Sequence, residues 1–323
     1  MRQYHDTDYL AVSAALHART AQLLTRERLE RMLDAPTAED AWKTAVQCGY
    51  PELERCTLDA VERALGQARG ALYRELRTLA PDARIVELFE IKYDYHNAKA
   101  ALKACDGAQR LMIDCGRCLA QDILDGSLRS ASPVLRRAIA AAKAVLADEG
   151  AQSADLLLDR ACFAERTELA EASGSAFLKG YVALEIDALN LRTLVRSLRM
   201  GHEDVLLGAA LLPGGTVAAA RLAAARGPAI AELFHGSALA GAAELAPSLL
   251  SGGKSLTEFE RACDDALMTY LRAARRTAFG EAVVVGYLGA KEAELTAVRT
   301  VMAGKFAGLD AAAIRPRLRE TYL

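Results

Sequence analysis

Three groups of residues carry enough chemistry to be weighed first. Gly252-Gly253-Lys254-Ser255 has the ending of a phosphate-binding loop, in which backbone N–H groups cradle a polyphosphate and the lysine neutralises it. The full pattern needs a glycine at position 248, where the chain has Ser248, and a strand before it, where Pro247 follows an Ala-rich stretch. A polar loop and helix N-cap is the better reading. Cys115 and Cys118 form a single Cys-x-x-Cys. A zinc site needs a second pair or two histidines at ligand spacing, and a thioredoxin-like site needs a strand–helix–strand context. Neither surrounds this pair, which reads as two thiols on a helix face. The third group is a set of acids and bases: Asp94 with Lys99, Asp187 with Arg192, Glu294 with Arg299, with Asn97 and Asn190 inside the first two. A carboxylate beside a base could move protons, but the same set recurs three times. An active site rarely does that, whereas a structural polar core does. The histidines at 5, 17, 96, 202 and 235 form no metal or nucleophile pattern. No catalytic constellation emerges, and no cofactor is implied.

The elements that position these residues are helical. From Phe177 to Arg199 the apolar residues Phe177, Tyr181, Leu184, Ala188, Leu191, Val195 and Leu198 repeat at alternating spacings of four and three, one face of an α-helix. Val182, Ile186, Leu189 and Leu194 lie off that stripe, so the helix is apolar on most sides and buried on several. Asp187, Asn190 and Arg192 sit inside this field. Burying such groups unpaired costs roughly 2–7 kcal/mol each, so partners must exist. Asp187 and Arg192 are about 140° apart around the helix and cannot pair within it, so each looks to another helix.

The register of this helix recurs. Shifted back by 93 residues it becomes Leu88, Ile91, Tyr95, Ala98, Leu102 and Cys105 with Asp94, Asn97 and Lys99; shifted forward by 107 it becomes Val284, Leu288, Lys291, Leu295, Val298 and Met302 with Glu294, Ala297 and Arg299. The third copy is weaker, with Lys291 off pattern and the asparagine lost. A second motif recurs in the same order: Glu62-Arg63-Ala64, Asp159-Arg160-Ala161 and Glu260-Arg261-Ala262. Two motifs, three times, imply an internal triplication. Its period near 100 is far longer than the roughly 20–50 residues of solenoid repeats. Three helical repeats are expected, over residues 1–107, 108–201 and 202–323.

Composition agrees. The chain is 52% hydrophobic but only 6% aromatic, so Ala, Leu and Val dominate, and Ala and Leu are the best helix formers. Forty basic and 42 acidic residues leave a net charge of −2, without the basic surplus of a nucleic-acid binder. The N-terminal residues lack an apolar signal region. No uncharged run reaches the roughly 20 residues of a membrane-spanning helix; the longest, Val205–Ala220, is broken by Pro213-Gly214-Gly215. Seven scattered cysteines, an odd number, read as reduced cytoplasmic thiols.

Along the chain, helices are expected over His5–Leu33, Thr37–Val46 with Thr37-x-x-Asp40 as a capping box, Leu58–Leu79, from Pro81 to about Asp106, and Leu111–Leu124. Ser132-Pro133 starts another, and Ser153–Ala170 precedes the Phe177 helix. Short Ala-rich helices follow Val205–Leu212, with Pro247 among their breaks. Ser255-x-x-Glu258 opens a long helix, Val283–Met302 is the third motif helix with Gly304 and Gly308 as its breaks, and Asp310–Thr321 closes the chain. No segment shows sustained strand-like alternation.

In this order and spacing the motifs resemble the family of C subunits of the A/V-type rotary ATPases, counterparts of the eukaryotic d subunits. Tyr9–Arg19 resembles the family's N-terminal helix, Ile91–Lys99 and Ile186–Arg196 its first two motif helices, Leu211-Leu212-Pro213-Gly214-Gly215 the loop that follows, and Lys291–Glu294, Arg299 and Gly304-Lys305 the third helix. Ala297 departs from it, where the family more often has Asn. The resemblance implies an all-α, funnel-shaped protein of three similar lobes. It implies a non-catalytic central-stalk component, peripheral on the cytoplasmic face, that seats the D and F shaft subunits on the membrane proteolipid ring. The other class the sequence allows is a helical scaffold of some other complex, although the period and aromatic signature of a tetratricopeptide array are absent. Residues Val205–Leu249, with Leu211 and Leu212 among them, are the expected part of the ring-facing surface.

Overall fold

Ser175 accepts the Leu178 N–H at 2.9 Å, Gly174 before it takes a left-handed φ of 75°, and the apolar run that follows is one uninterrupted helix. Thr25, Thr37, Thr57, Ser132 and Ser255 open other helices in the same way, each giving a first-turn N–H an acceptor it would otherwise lack. The computed structural model describes residues 4–103, 107–201, 205–251 and 255–323, with the side chains of Val205 and Leu206 not among them. The phosphate-loop candidate Gly252-Gly253-Lys254, together with Cys105 and His202, lies outside the described residues.

The described residues are all-α, without a strand. A 3-10 turn at Asp6–Tyr9 leads into α1 (Leu10–Thr20), α2 (Arg26–Asp34), α3 (Ala38–Gln47), α4 (Leu58–Leu79) and the first motif helix, α5 (Ala83–Lys103). Then come α6 (Ala120–Leu124), α7 (Pro133–Asp148), α8 (Ala151–Ser173) and the second motif helix, α9 (Ala176–Arg199). The short helices α10 (Val205–Ala210), α11 (Ala219–Ala224), α12 (Pro228–Leu233) and α13 (Ala240–Leu250) precede α14 (Leu256–Arg272), the third motif helix α15 (Glu281–Phe306) and α16 (Ala311–Ile314).

Several segments differ from the sequence expectation, each for a visible reason. The single helix expected over His5–Leu33 is broken between Thr20 and Arg26, where the Leu24 N–H is taken by Glu294 and Thr25 caps a new helix. The helix expected over Leu111–Leu124 is mostly loop, because Asp94 and Asn97 hold its backbone N–H groups. Cys115 and Cys118 therefore sit buried in a loop and not on a helix face. Pro247 lies inside α13, three residues from its end. Gly304 does not stop α15; it lets Ile314 pack there, since a Cβ would fall 2.6 Å from the Ile314 Cδ1. After α16, Pro316 turns the chain into an extended tail in place of the expected closing helix.

Buried apolar residues fall into four clusters. One is shared: it takes Leu88, Phe89 and Tyr93 from α5, Leu178, Tyr181 and Val182 from α9, and Val283–Val285 with Leu288 from α15. Those are mostly the N-terminal halves of the three motif helices. Their C-terminal halves diverge into three separate clusters. Tyr95 and Ala98 pack against α6–α8, Leu191 and Val195 against α10–α14, and Val298 and Met302 against α2–α4. The first two motif helices thus pack with the segment that follows them, so these clusters run across the boundaries expected at residues 107 and 201. For α15, the packed segment is the one near the start of the chain.

Candidate functional site

The acid of each motif helix holds a backbone N–H of a loop that returns beside it. Asp94 Oδ1 accepts from Cys118 N at 2.9 Å, Asp187 Oδ1 from Val217 N at 3.2 Å, and Glu294 Oε2 from Leu24 N at 2.6 Å. In the first two copies the asparagine one turn later completes a clamp. Asn97 exchanges two hydrogen bonds with Ile113, at 2.9 Å from its N–H and 2.8 Å to its carbonyl; Asn190 does the same with Leu212, at 2.7 and 2.8 Å. One amide thereby satisfies both polar groups of a loop residue, which would otherwise be buried unpaired. The loop must approach the acid closely. A Cβ on Gly116 would stand 3.0 Å from the Asp94 Cγ, and one on Gly215 at 3.0 Å from the Asp187 Cγ, with an oxygen closer still in each case. Only glycine fits. The sequence showed Gly215 only as part of a loop and Gly116 only between the two cysteines; that each lies against the preceding Asp was not legible there.

The partners differ from expectation at Asp187. It meets no cation among the described residues and takes instead Thr216 N at 2.9 Å, the Thr216 hydroxyl and Val217 N. A row of consecutive donors compensates a buried carboxylate as a cation would. Asp94 combines both means, with Arg117 Nε at 3.2 Å beside the Cys118 N–H. Burial still dominates and pushes its carboxyl up to about 6. Glu294 has Lys291 Nζ at 2.5 Å and the Tyr50 hydroxyl at 2.9 Å. The bases five residues on reach other helices: Lys99 pairs with Asp159 at 2.5 Å, Arg192 with Asp264, and Arg299 with Glu62 at 2.6 Å. Asp159 and Glu62 are the acids of the acid-Arg-Ala motif, and the third, Glu260, pairs with Arg196.

Where the motif helices share their core, α15 carries a further acid. Glu292 accepts from the Tyr73 hydroxyl at 2.6 Å and the Tyr93 hydroxyl at 2.7 Å, lies 2.8 Å from Lys92 Nζ, and has Arg69 Nε at 3.7 Å. Burial alone would raise its carboxyl, but the Lys92 and Arg69 charges outweigh burial and hold it at about 2. Burial and the Glu292 charge push the Tyr73 phenol well above its ordinary value, so it remains a donor. A cavity of about 290 Å³ opens beside this acid, lined in part by Tyr181, Met268, Gly289, Ala297 and Tyr322. Ala297, at the position where α5 and α9 carry their clamping asparagines, is part of that lining.

Leu211 and Leu212, expected at an interface, are 2% and 7% exposed. Leu211 belongs to the α9–α14 cluster and Leu212 to the shared one, where Asn190 fixes its backbone. They present no surface. Among the described residues no group of His, Cys, Asp and Glu is arranged to hold a metal ion, and no helix is long and apolar enough to cross a membrane.

Known proteins are similar to this chain over nearly all of its length. The C subunit of the V-type sodium ATPase of Enterococcus hirae is 21% identical, over 98% of this chain and 99% of its own length. The family described as ATP synthase (C/AC39) subunit matches residues 12–317, which include all three motif helices and all three acid-held loops. The chain belongs to the ATP synthase (C/AC39) subunit family.

Proposed function

We propose that this chain is a non-catalytic rotor component of a V/A-type rotary ATPase, a socket that seats the D and F shaft subunits on the membrane proteolipid ring. On this reading it is peripheral, on the cytoplasmic face, and serves ATP-linked proton or sodium transport. The observation that carries the reading is the divergence of the motif helices. Three helices share one core at their N-terminal halves and run out into three separate cores, each fixed by an acid-held loop. We take these as three lobes around one centre. Such a body offers several contacts to a ring of many copies and one seat to a single shaft. The acids of its motif helices are taken up by backbone and cation partners, which supports a structural role for them. Family membership supports the same reading.

The test is affinity purification of the tagged full chain from detergent-extracted membranes of its own source. The expected result is co-purification with a proteolipid ring and two small shaft subunits. Recovery of the chain in a complex lacking both, or ATP hydrolysis by the purified chain alone, would overturn the assignment.

A further inference from the structure

Equivalent positions on the three motif helices are Lys92, Glu185 and Glu292, and Arg69 and Arg166 each stand seven residues after the acid of their acid-Arg-Ala motif. In the second repeat the arrangement is self-contained: Arg166 of α8 pairs with Glu185 of the adjacent α9. In the first repeat the acid has become Lys92, so α4 and α5 bring together two cations, Arg69 and Lys92, with no acid of their own at that position. The missing negative charge comes from α15. Glu292 lies against both cations and accepts from Tyr73 on α4 and Tyr93 on α5. Both cations stack on the same ring: Arg69 Cζ is 5.5 Å and Lys92 Nζ 5.0 Å from the Tyr93 centroid. Lys92 and Tyr93 belong to the helix that continues into the α5–α8 cluster, and Glu292 to the one that continues into the α2–α4 cluster. One carboxylate therefore spans the junction between two of the three outer clusters, placed where their helices begin to diverge. A neutral side chain there would leave Arg69 and Lys92 facing each other, and like charges at such a site repel.

We propose that Glu292 is a positioning residue that locks the α5–α8 cluster to the α2–α4/α15 cluster, and that this lock transmits torque through the protein. The second half of the proposal rests on the rotor reading above. Without the shared acid the two clusters are free to swing about the shared core, and shaft rotation is absorbed as bending.

The experiment uses the full chain with spin labels introduced through a non-canonical amino acid at the exposed positions Lys43 on α3 and Arg137 on α7. The native chain is expected to give one narrow inter-label distance. Glu292→Gln, which keeps the shape and removes the charge, is expected to lose it and give a broad distribution, with helix content retained. In the assembled ATPase the same variant is expected to hydrolyse ATP while moving fewer ions per ATP. A narrow, unshifted distance in Glu292→Gln would overturn the lock. A broadened distance with an unchanged ion-to-ATP ratio would overturn the torque role. If no rotary complex forms even with the native chain, the rotor reading fails, and the distance measurement still decides the lock on the isolated chain. Should Glu292→Gln fail to fold, Lys92→Met removes the partner from the half-exposed side, and the same broadening is expected.

Discussion

The loop clamps on α9 and α15 make the same backbone bond by different means. On α9 an aspartate and an asparagine take a loop 22 to 30 residues further along the chain, and Gly215 lets that loop touch the carboxylate. On α15 a glutamate, one methylene longer, reaches Leu24 from the far end of the sequence, and a lysine and a tyrosine replace the asparagine and the run of loop donors. Closing a short loop costs little chain entropy, whereas bringing residues 270 positions apart together costs more, though the cost grows only slowly with length. Of these two clamps the distant one carries an ion pair, and the local clamp of Asp94 has one as well, with Arg117. A local clamp can rest on hydrogen bonds matched to a glycine turn; the distant one is tied to Lys291 on its own helix and to Tyr50 on the segment it recruits.

The comparison is broken most directly by truncating the two acids. Glu294→Ala strands Lys291 and leaves the Leu24 N–H and Tyr50 hydroxyl unpaired, and a loss of about 4 kcal/mol is expected in urea unfolding. Asp187→Ala removes hydrogen bonds to a buried anion but strands no cation, and should cost about 3 kcal/mol. The reverse order would show that the local clamp dominates. Loss of rotor assembly in Asp187→Ala with full stability would make that residue an interface residue. Gly215→Ala comes next: the added methyl group collides with Asp187 and should cost about 2 kcal/mol by overpacking. A stabilising Gly215→Ala would mean that the loop can back away.

A titration separates the first clamp from the central acid. The Asp94 carboxyl is raised to about 6, so the folded chain binds this proton more tightly than the unfolded one. Its contribution to stability is greatest below about pH 4 and falls as pH rises towards 6, by about 1 kcal/mol per pH unit. Asp94→Asn should remove that slope. Glu292 acts in the opposite sense. Held at about 2, its contribution is present above the ordinary carboxyl range and is lost as pH falls from about 4 towards 2. An unchanged slope between pH 4 and 6 in Asp94→Asn would reassign it to another group. The smallest effect belongs to Arg299→Ala. Its pair with Glu62 has side chains 64% and 38% exposed, and less than about 0.5 kcal/mol is expected.

The periodicity of Phe177–Arg199 was enough to place α9, and the repeated acid, base and acid-Arg-Ala positions pointed to the residues around which the clamps and surface pairs are built. Apolar spacing reports which face of a helix is buried, and it does so whatever covers that face. It says nothing about the donor a buried acid will meet, which is why Asp187 was expected to look to another helix and instead found loop N–H groups. It also failed where a tertiary bond overrides local preference: Leu111–Leu124 and His5–Leu33 read as helix, but Asp94, Asn97 and Glu294 take backbone N–H groups that a continuing helix would use. Glu292 stood in plain view in Lys291-Glu292-Ala293-Glu294. Its partners lie some 200 residues away on α4 and α5, and no local pattern joins them.

The closing of α2–α4 by α15 has a consequence for biosynthesis. Met32, Leu33, Trp42 and Leu65 leave the ribosome about 230 to 265 residues before Leu295 and Val298, the side chains that will cover them. At elongation rates of about 5–20 residues per second, that is a wait of roughly 10–50 s with an apolar face open to water. The α6–α8 segment faces no such delay, because the motif helix it needs has already been made, and the same holds for α10–α14. On a crowded polysome the uncovered face of one nascent chain can accept the α15 of its neighbour, which makes the same bonds through Glu294 and yields an exchanged dimer. The first outer cluster to be translated is thus the last to be completed, and the one most exposed to capture by a holdase or by a sister chain.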